Sequence, residues 1–280
     1  MHVIPIASDS MGVRSMATYV ETKDAKILID PSAALGPKRY GLPPAKIEVD
    51  TLLNIKQVIA QKAETCDILA ISHYHYDHYD PHEEFYEGKK VFAKDIRDHI
   101  NKSQTVRGKE FKQIVKEVCD LIYCDDSSHR IGDTEIKFSP PFFHGPNQVK
   151  LGYVLMTTID DGTQRLLHAS DVQGPVTTEA KEYIIHEHPN LLIMDGPPTI
   201  FLGWKFSMND LKEAQKNLLE IIRTTGCELI LDHHLLRDIK YKENFPEIYK
   251  TADFPVKTFA EYLGENNNTL EAHRKELWGK

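Results

Sequence analysis

The residues Asp67-Ile68-Leu69-Ala70-Ile71-Ser72 read as a short apolar strand. It runs without a turn into His73-Tyr74-His75-Tyr76-Asp77-His78. A strand this apolar is buried on both faces, so it lies inside a sheet covered by other layers. The polar cluster then falls at the carboxyl end of an interior strand, where α/β proteins gather their chemistry. Three more strand-like runs end the same way. His144 follows Pro140-Pro141-Phe142-Phe143, Asp171 follows Gln164–Ser170, and His233-His234 follow Glu228–Asp232. A histidine-rich surface loop would have neither the apolar lead-in nor these partners downstream.

The rest of the chain supports an α/β reading. Residues 2–7, 15–22 and 26–31 are runs of β-branched and aromatic residues bounded by Gly, Asp and Pro. Leu52, Ile55, Val58 and Ile59 share one helical face, which predicts a helix over 51–66. Residues 90–94 form a short strand, and an amphipathic, basic helical stretch is expected near 95–119. Gly132-Asp133 and Asp160-Asp161-Gly162 mark hairpins. Helices near 177–188, 207–224 and 238–250 then alternate with short apolar runs, and a helix is expected beyond Asn267. No linker or repeat divides the chain, so residues 1–280 read as one domain with sheets inside and helices outside.

Hydrophobic residues make up 41% and charged residues 27% of the 280, as in an ordinary globular protein. No apolar run approaches the roughly 20 residues that span a bilayer. No basic and then apolar leader opens the chain, and the four cysteines form no CxxC pair. Both point to the reducing cytoplasm. The formal charge of −8 argues against a nucleic-acid partner and for a small-molecule substrate. Residues 89–116 stand apart, with nine Lys and Arg against three Asp and Glu.

Imidazole and carboxylate suit borderline divalent ions: zinc first, with manganese, iron or cobalt taking the same donors. His73 and His75 are two apart and point the same way from an extended end. Asp77 keeps that parity and His78 leaves it, so a turning chain offers His73 and His75 to one ion and Asp77 and His78 to a second. His144 completes the first site and His233 the second, and Asp171 bridges both. Room remains for a shared hydroxide.

This order of motifs resembles the metallo-β-lactamase superfamily: a strand-ending Asp (Asp30), then HxHxDH (His73, His75, Asp77, His78), a lone His (His144), a lone Asp (Asp171) and a final His (His233 or His234). The resemblance spans residues 27–237. It implies a four-layer αββα sandwich of two mixed β-sheets with a dinuclear centre at the sheet edges, and it implies that Asp30 props the ligand loop. The stretches SMGVRSMATYVET, SHYHYDHYDP, HASDVQGP and DHHLLRD look most like an uncharacterised, mainly archaeal branch of metal-dependent hydrolases. Flavodiiron members carry Glu where this chain has His75, and the Cys of one β-lactamase subclass has no counterpart near Asp171. The segment before His233 is too short for a clamp domain of the nuclease type. The spacing HHLLR resembles Z-type tRNA nucleases, in which the ligand His stands four residues before Arg. That register favours His233 as ligand and leaves His234 to touch substrate.

The expected function is therefore a hydrolase using a hydroxide between two divalent ions, with Asp77 orienting that hydroxide and Asp30 and Asp232 fixing imidazoles from behind. Gln104, Arg107 and Arg237 are the candidate substrate contacts, because a planar guanidinium suits an anionic group. The basic segment tilts the choice towards phosphoesters. The alternatives are a lactone or thioester hydrolase, an RNA-processing nuclease and a metal-stabilised scaffold without activity.

Overall fold

A computed structural model describes residues 1–147, 150–251 and 255–280. Its first sheet contains β1 (His2–Ser8), β2 (Met16–Glu21), β3 (Lys26–Ile29), β4 (Ile68–Ile71), β5 (Lys90–Ala93) and β6 (Asp120–Tyr123), side by side in that order. β1, β2 and β3 form an antiparallel meander, and β3 to β6 run parallel. The parallel crossovers include α1 (Lys46–Glu64), before β4, and α2 (Lys102–Val115), before β6.

The second sheet repeats this plan. β7 (Ser127–Ile131), β8 (Thr134–Phe138), β11 (Thr157–Asp160) and β12 (Arg165–His168) are antiparallel neighbours. β13 (Leu191–Met194) and β14 (Glu228–Leu231) then add in parallel. Between β8 and β11 lie the two-residue strands β9 (Phe142–Phe143) and β10 (Tyr153–Val154), which pair only with each other. The crossovers are α3 (Thr178–Glu187) and α4 (Met208–Thr225).

Alternation along the strands sorts the core into layers. Ile68 and Ala70 of β4 pack with Ile136, Ile159, Leu166, Ile193 and Ile230, which fills the space between the sheets. Leu69 and Ile71 point the other way, towards Ile59 and Ala63 of α1 and Phe111 and Val115 of α2. On the far side Leu192, Met194, Leu229 and Leu231 meet Ile184 of α3 and Leu218 and Ile221 of α4. The result is the expected αββα sandwich. No helix among the described residues is long and apolar enough to cross a membrane.

Several boundaries differ from the sequence reading. α1 begins five residues early, because the Glu48 carboxylate reaches back to the Ala45 N–H at 2.7 Å and starts the helix just after Pro44. The basic stretch is helical only over 102–115. His99 at φ 45° breaks the chain before it, and Asn101 caps its start by accepting from the Gln104 N–H at 2.8 Å. β6 occupies residues the sequence left outside any strand. Residues 153–160 divide between β10 and β11. The region 238–251 holds two short helices, α5 (Tyr241–Asn244) and α6 (Pro246–Thr251). Residues 259–262 form α7 (Phe259–Tyr262) where a strand was read, and the segment after Asn267 is mostly turn, ending in α8 (Arg274–Leu277).

That last segment clasps the irregular loop 31–45. Arg274 is fully buried and pairs with Glu48 at 2.7 Å while donating to the carbonyls of Gly36 and Leu42. Arg14 grips Glu271 through two bonds of 2.6 and 2.7 Å. Tyr40 Oη donates to Ala272 O, and Trp278 Nε1 donates to Pro43 O.

Candidate metal centre

Every expected ligand lies just past the carboxyl end of a strand, on one edge of the sandwich. Past β3, Asp30 adopts φ 49° and turns its carboxylate under the next loop. It accepts from Ser72 N and Ser72 Oγ at 2.8 Å each, and from His78 Nδ1 at 2.8 Å. Past β4 the chain turns sharply, with His78 N and Tyr79 N both donating to His75 O. The interleaved tyrosines have separate tasks. Tyr74 is fully buried against Tyr79 and Phe111 and donates to Lys94 O at 2.6 Å, which pins the loop to the core. Tyr76 is 47% exposed and stands in the wall of the cavity above the site.

The donor atoms converge in overlapping sets, all within 4.8 Å of one another in each. One is His73, His75, His144 and Asp171. The second is Asp77, His78 and His233. A third joins Asp171, His233 and His234. His73 Nε2 and His75 Nδ1 lie 2.9 Å apart. Asp171 Oδ2 is 3.0 Å from His144 Nε2, 3.2 Å from His78 Nε2 and 3.7 Å from His73 Nε2, and Oδ1 is 3.7 Å from His233 Nε2. Asp171 thus stands between the sets. His233 Nε2 is 3.6 Å from Asp77 Oδ2.

The far nitrogen of most rings is held by an oxygen. His73 Nδ1 meets Ser72 Oγ at 2.9 Å, His78 meets Asp30, His233 meets Asp9 at 2.8 Å and His234 meets Asp195 at 2.6 Å. A proton on Nδ1 leaves the Nε2 lone pair turned inward, as a metal ligand requires. Three of the inward atoms find no partner among the described residues. His78 Nε2, His144 Nε2 and Asp171 Oδ1 are buried without a hydrogen bond among the described residues, despite the short distances. Each such atom costs about 1–3 kcal/mol. Divalent cations at the two sets would satisfy them, with His144 Nε2 in the first, His78 Nε2 in the second and Asp171 between.

The electrostatics agree with that fit. Burial, reinforced by neighbouring imidazoles, holds His73 and His234 well below the usual histidine range and His75 down to about 3. These rings stay neutral and ligand-competent. Burial would raise Asp171, but His78, His234 and His233 hold it well below the carboxylate range. Burial likewise opposes the charge on His78, yet Asp171 and Asp30 push that ring upward. A bound cation replaces that proton.

His233 and His234 both reach the centre. His233 completes the set with Asp77 and His78, whereas His234 Nε2 approaches Asp171 Oδ2 at 3.8 Å and lines the cavity. Arg237 Nη2 lies 2.9 Å from His233 Nε2, where a cation would sit, so a loaded site requires this guanidinium to withdraw towards Asp9, which it already contacts at 3.2 Å.

The candidate substrate contacts divide. Arg107 and Arg237 line a cavity of about 510 Å³ over the centre. Gln104 is fully buried beneath α2 and donates to Leu151 O at 2.8 Å, so it shapes a cavity wall from behind. Asp232 touches no imidazole. It accepts from the main chain of Ser10, His233 and Phe259, and so fixes the strand end that carries the histidines. Asp9 and Asp195, which take ring protons, were not singled out from sequence, although both follow apolar strands as Asp30 does. Asp30, Ser170, Gln173 and His233 all adopt left-handed backbone without being glycine. Such positions cost about 1–3 kcal/mol each and gather where a site demands them.

No family model matches the chain. The UPF0282 protein of Methanocaldococcus jannaschii is 47% identical over 290 residues, covering 99% of this chain and 96% of that protein. Two solved structures are similar at low identity. A possible metal-dependent hydrolase from Veillonella parvula has a TM-score of 0.53 at 14% identity, over 89% of this chain and 90% of that one. A metallo-β-lactamase fold protein from Bacillus subtilis has a TM-score of 0.51 at 16% identity, over 91% and 90%. That likeness concerns the fold, which is the metallo-β-lactamase fold. The identity to the archaeal relative, sustained over nearly the whole of both chains, goes further: this chain belongs to the UPF0282 family.

Proposed function

We propose that the protein is a metal-dependent hydrolase acting on a small phosphoester. The observation that carries this reading is the convergence of His73, His75, His144, Asp77, His78 and His233 around Asp171, with three inward atoms, His78 Nε2, His144 Nε2 and Asp171 Oδ1, that have no partner among the described residues. His73, His75, His144 and Asp171 would hold one ion. Asp77, His78, His233 and the second oxygen of Asp171 would hold the other. Two divalent ions, zinc first among them, supply a Lewis-acidic centre at which water becomes nucleophilic near neutral pH.

The protein's own groups do the rest. Asp77 faces the shared space and orients the attacking water. His234 faces the cavity through Nε2 while Asp195 holds Nδ1, so the Nε2 lone pair is placed to accept a proton there as a general base. The basic residues around the cavity favour an anionic substrate, and its size fits a small molecule rather than a polymer. Four free cysteines fit the cytoplasm.

The test is elemental analysis of the purified protein, followed by a screen of reconstituted protein against phosphodiesters, phosphomonoesters, lactones and thioesters. Two equivalents of metal and turnover on a phosphoester are expected. A well-folded protein that takes up no divalent ion would sink the proposal. Turnover confined to lactones or thioesters would keep the centre and replace the substrate.

A further inference from the structure

Four cationic side chains line the cavity: Arg14, Arg107, Lys205 and Arg237. Two are already neutralised. Arg14 is locked to Glu271, and Arg237 leans on Asp9 with Asp77 3.6 Å away. Arg107 and Lys205 have no carboxylate partner among the described residues. Arg107 is nevertheless held in place. Its guanidinium lies over the Tyr76 ring at 4.5 Å and spends Nη1 on Tyr74 O at 3.1 Å. No other hydrogen bond to the described residues is made by this fork, which leaves Nε and Nη2 as a pair of parallel donors among them. The helix that carries it is brought in tightly. A Cβ at Gly108 would come within 2.5 Å of Ile96 Cγ2 and 2.8 Å of Tyr74 Cε2, so the glycine after Arg107 allows α2 to reach the ligand loop. Lys205, on the facing loop after β13, rests on Trp204 at 4.3 Å. Leu35, Pro37, Pro146, Leu151 and Phe201 supply apolar wall.

From this arrangement we infer the substrate class: a small molecule with two polar ends, whose scissile group sits at the metal centre and whose second oxyanion, a carboxylate or phosphate, is gripped by Arg107 and Lys205 across a short apolar link. This rests on the proposed hydrolase reading and adds to it a recognition site for a group that does not react. A preoriented guanidinium edge pairs with a planar oxyanion through two parallel bonds, which a lysine cannot reproduce. Tyr76 is the platform that keeps the fork aimed, and this is the task of the second aromatic ring inside the histidine motif.

The test uses two ligands that do not react, phenylphosphonate and 4-carboxyphenylphosphonate, titrated calorimetrically into the metal-loaded protein. The carboxylated ligand is expected to bind about ten- to hundredfold more tightly, the worth of a charge-assisted hydrogen-bonded pair. Arg107→Gln should abolish most of that advantage. Arg107→Lys, which keeps the charge and loses the fork, should retain part of it, and Lys205→Gln should reduce it less than Arg107→Gln. Metal content and thermal midpoint of each variant are measured alongside. Equal affinities in the unmodified protein, no binding by either ligand, or an advantage that survives Arg107→Gln would overturn the inference. So would loss of metal from Arg107→Gln, which would assign the residue to the centre. Absence of turnover in the earlier screen strikes the proposed function and leaves this comparison readable, because neither ligand is hydrolysed.

Discussion

The two sheets share one plan, an antiparallel meander continued by parallel strands, yet they equip the centre differently. The first supplies His73, His75, Asp77 and His78 from a single turn after β4. The second supplies Asp171 and His233 from two separate strand ends, and the small β9–β10 ladder beside it supplies His144. A turn is set by local hydrogen bonds, here those converging on His75 O. The ends of β12 and β14 are set by the registers that join β11 to β14, that of β9 by its pairing with β10, and all three by the packing beneath them. The first half therefore carries a preformed claw, and the second closes it.

The comparison breaks most completely at the one residue both sets use. Asp171→Ala should lower turnover by about 10⁴-fold or more and leave one ion or none by elemental analysis. His75→Ala touches one set, so one ion should remain. Loss of both ions from His75→Ala would refute the division into sets. The adjacent histidines should then separate. His233→Ala should lose the ion held with Asp77 and His78. His234→Ala should keep both ions and lower kcat about 10²–10⁴-fold with a changed pH profile, as expected for a general base. Behind the rings the effects shrink. Asp9→Asn should weaken metal binding about 10–100-fold, read by competition with a chelator.

Core substitutions probe the difference between halves directly. Ile68→Ala and Ile193→Ala both empty space between the sheets and should each cost about 2–5 kcal/mol in urea unfolding. The second should weaken metal binding more, because β13 positions strand ends while the turn after β4 holds itself. The smallest effect concerns acid stability of metal-stripped protein. Burial keeps His75 unprotonated down to about 3, whereas an unfolded chain takes up that proton below about 6.5. The unfolded state then binds more protons, so this group's contribution falls as pH drops from about 6.5 towards 3. The urea midpoint of stripped His75→Gln should therefore fall less between pH 7 and pH 5 than that of the unsubstituted protein.

The same contrast explains what could be read from sequence. The claw was legible because its ligands are contiguous and follow a strand of unmistakable apolarity. His144, Asp171 and His233 were legible through strand ends and motif order. Asp9 and Asp195 were not, because a lone Asp after a strand carries no periodic signal, and its ring partner is known only once distant strands are placed. The single helix expected over 95–119 failed for a related reason. Pattern shows an apolar face, whereas the break at His99 and the cap at Asn101 depend on a backbone conformation and one hydrogen bond. Gln104 lies one turn from Arg107 on the same side of α2, but its shorter side chain is spent on Leu151 O while the longer Arg107 reaches the cavity.

The buried Arg274 has a consequence for how the protein comes into being. The loop it secures contributes Ala34, Leu35 and Pro37 to the cavity wall, more than 230 residues ahead of it in the chain. During synthesis the strands and the histidine turn emerge and can collapse early, with that wall tied at Ala34 to Arg14, but its clasp is complete only once residues 271–278 have emerged. A nascent chain halted before them would hold a hydrophobic sandwich and an unfinished mouth.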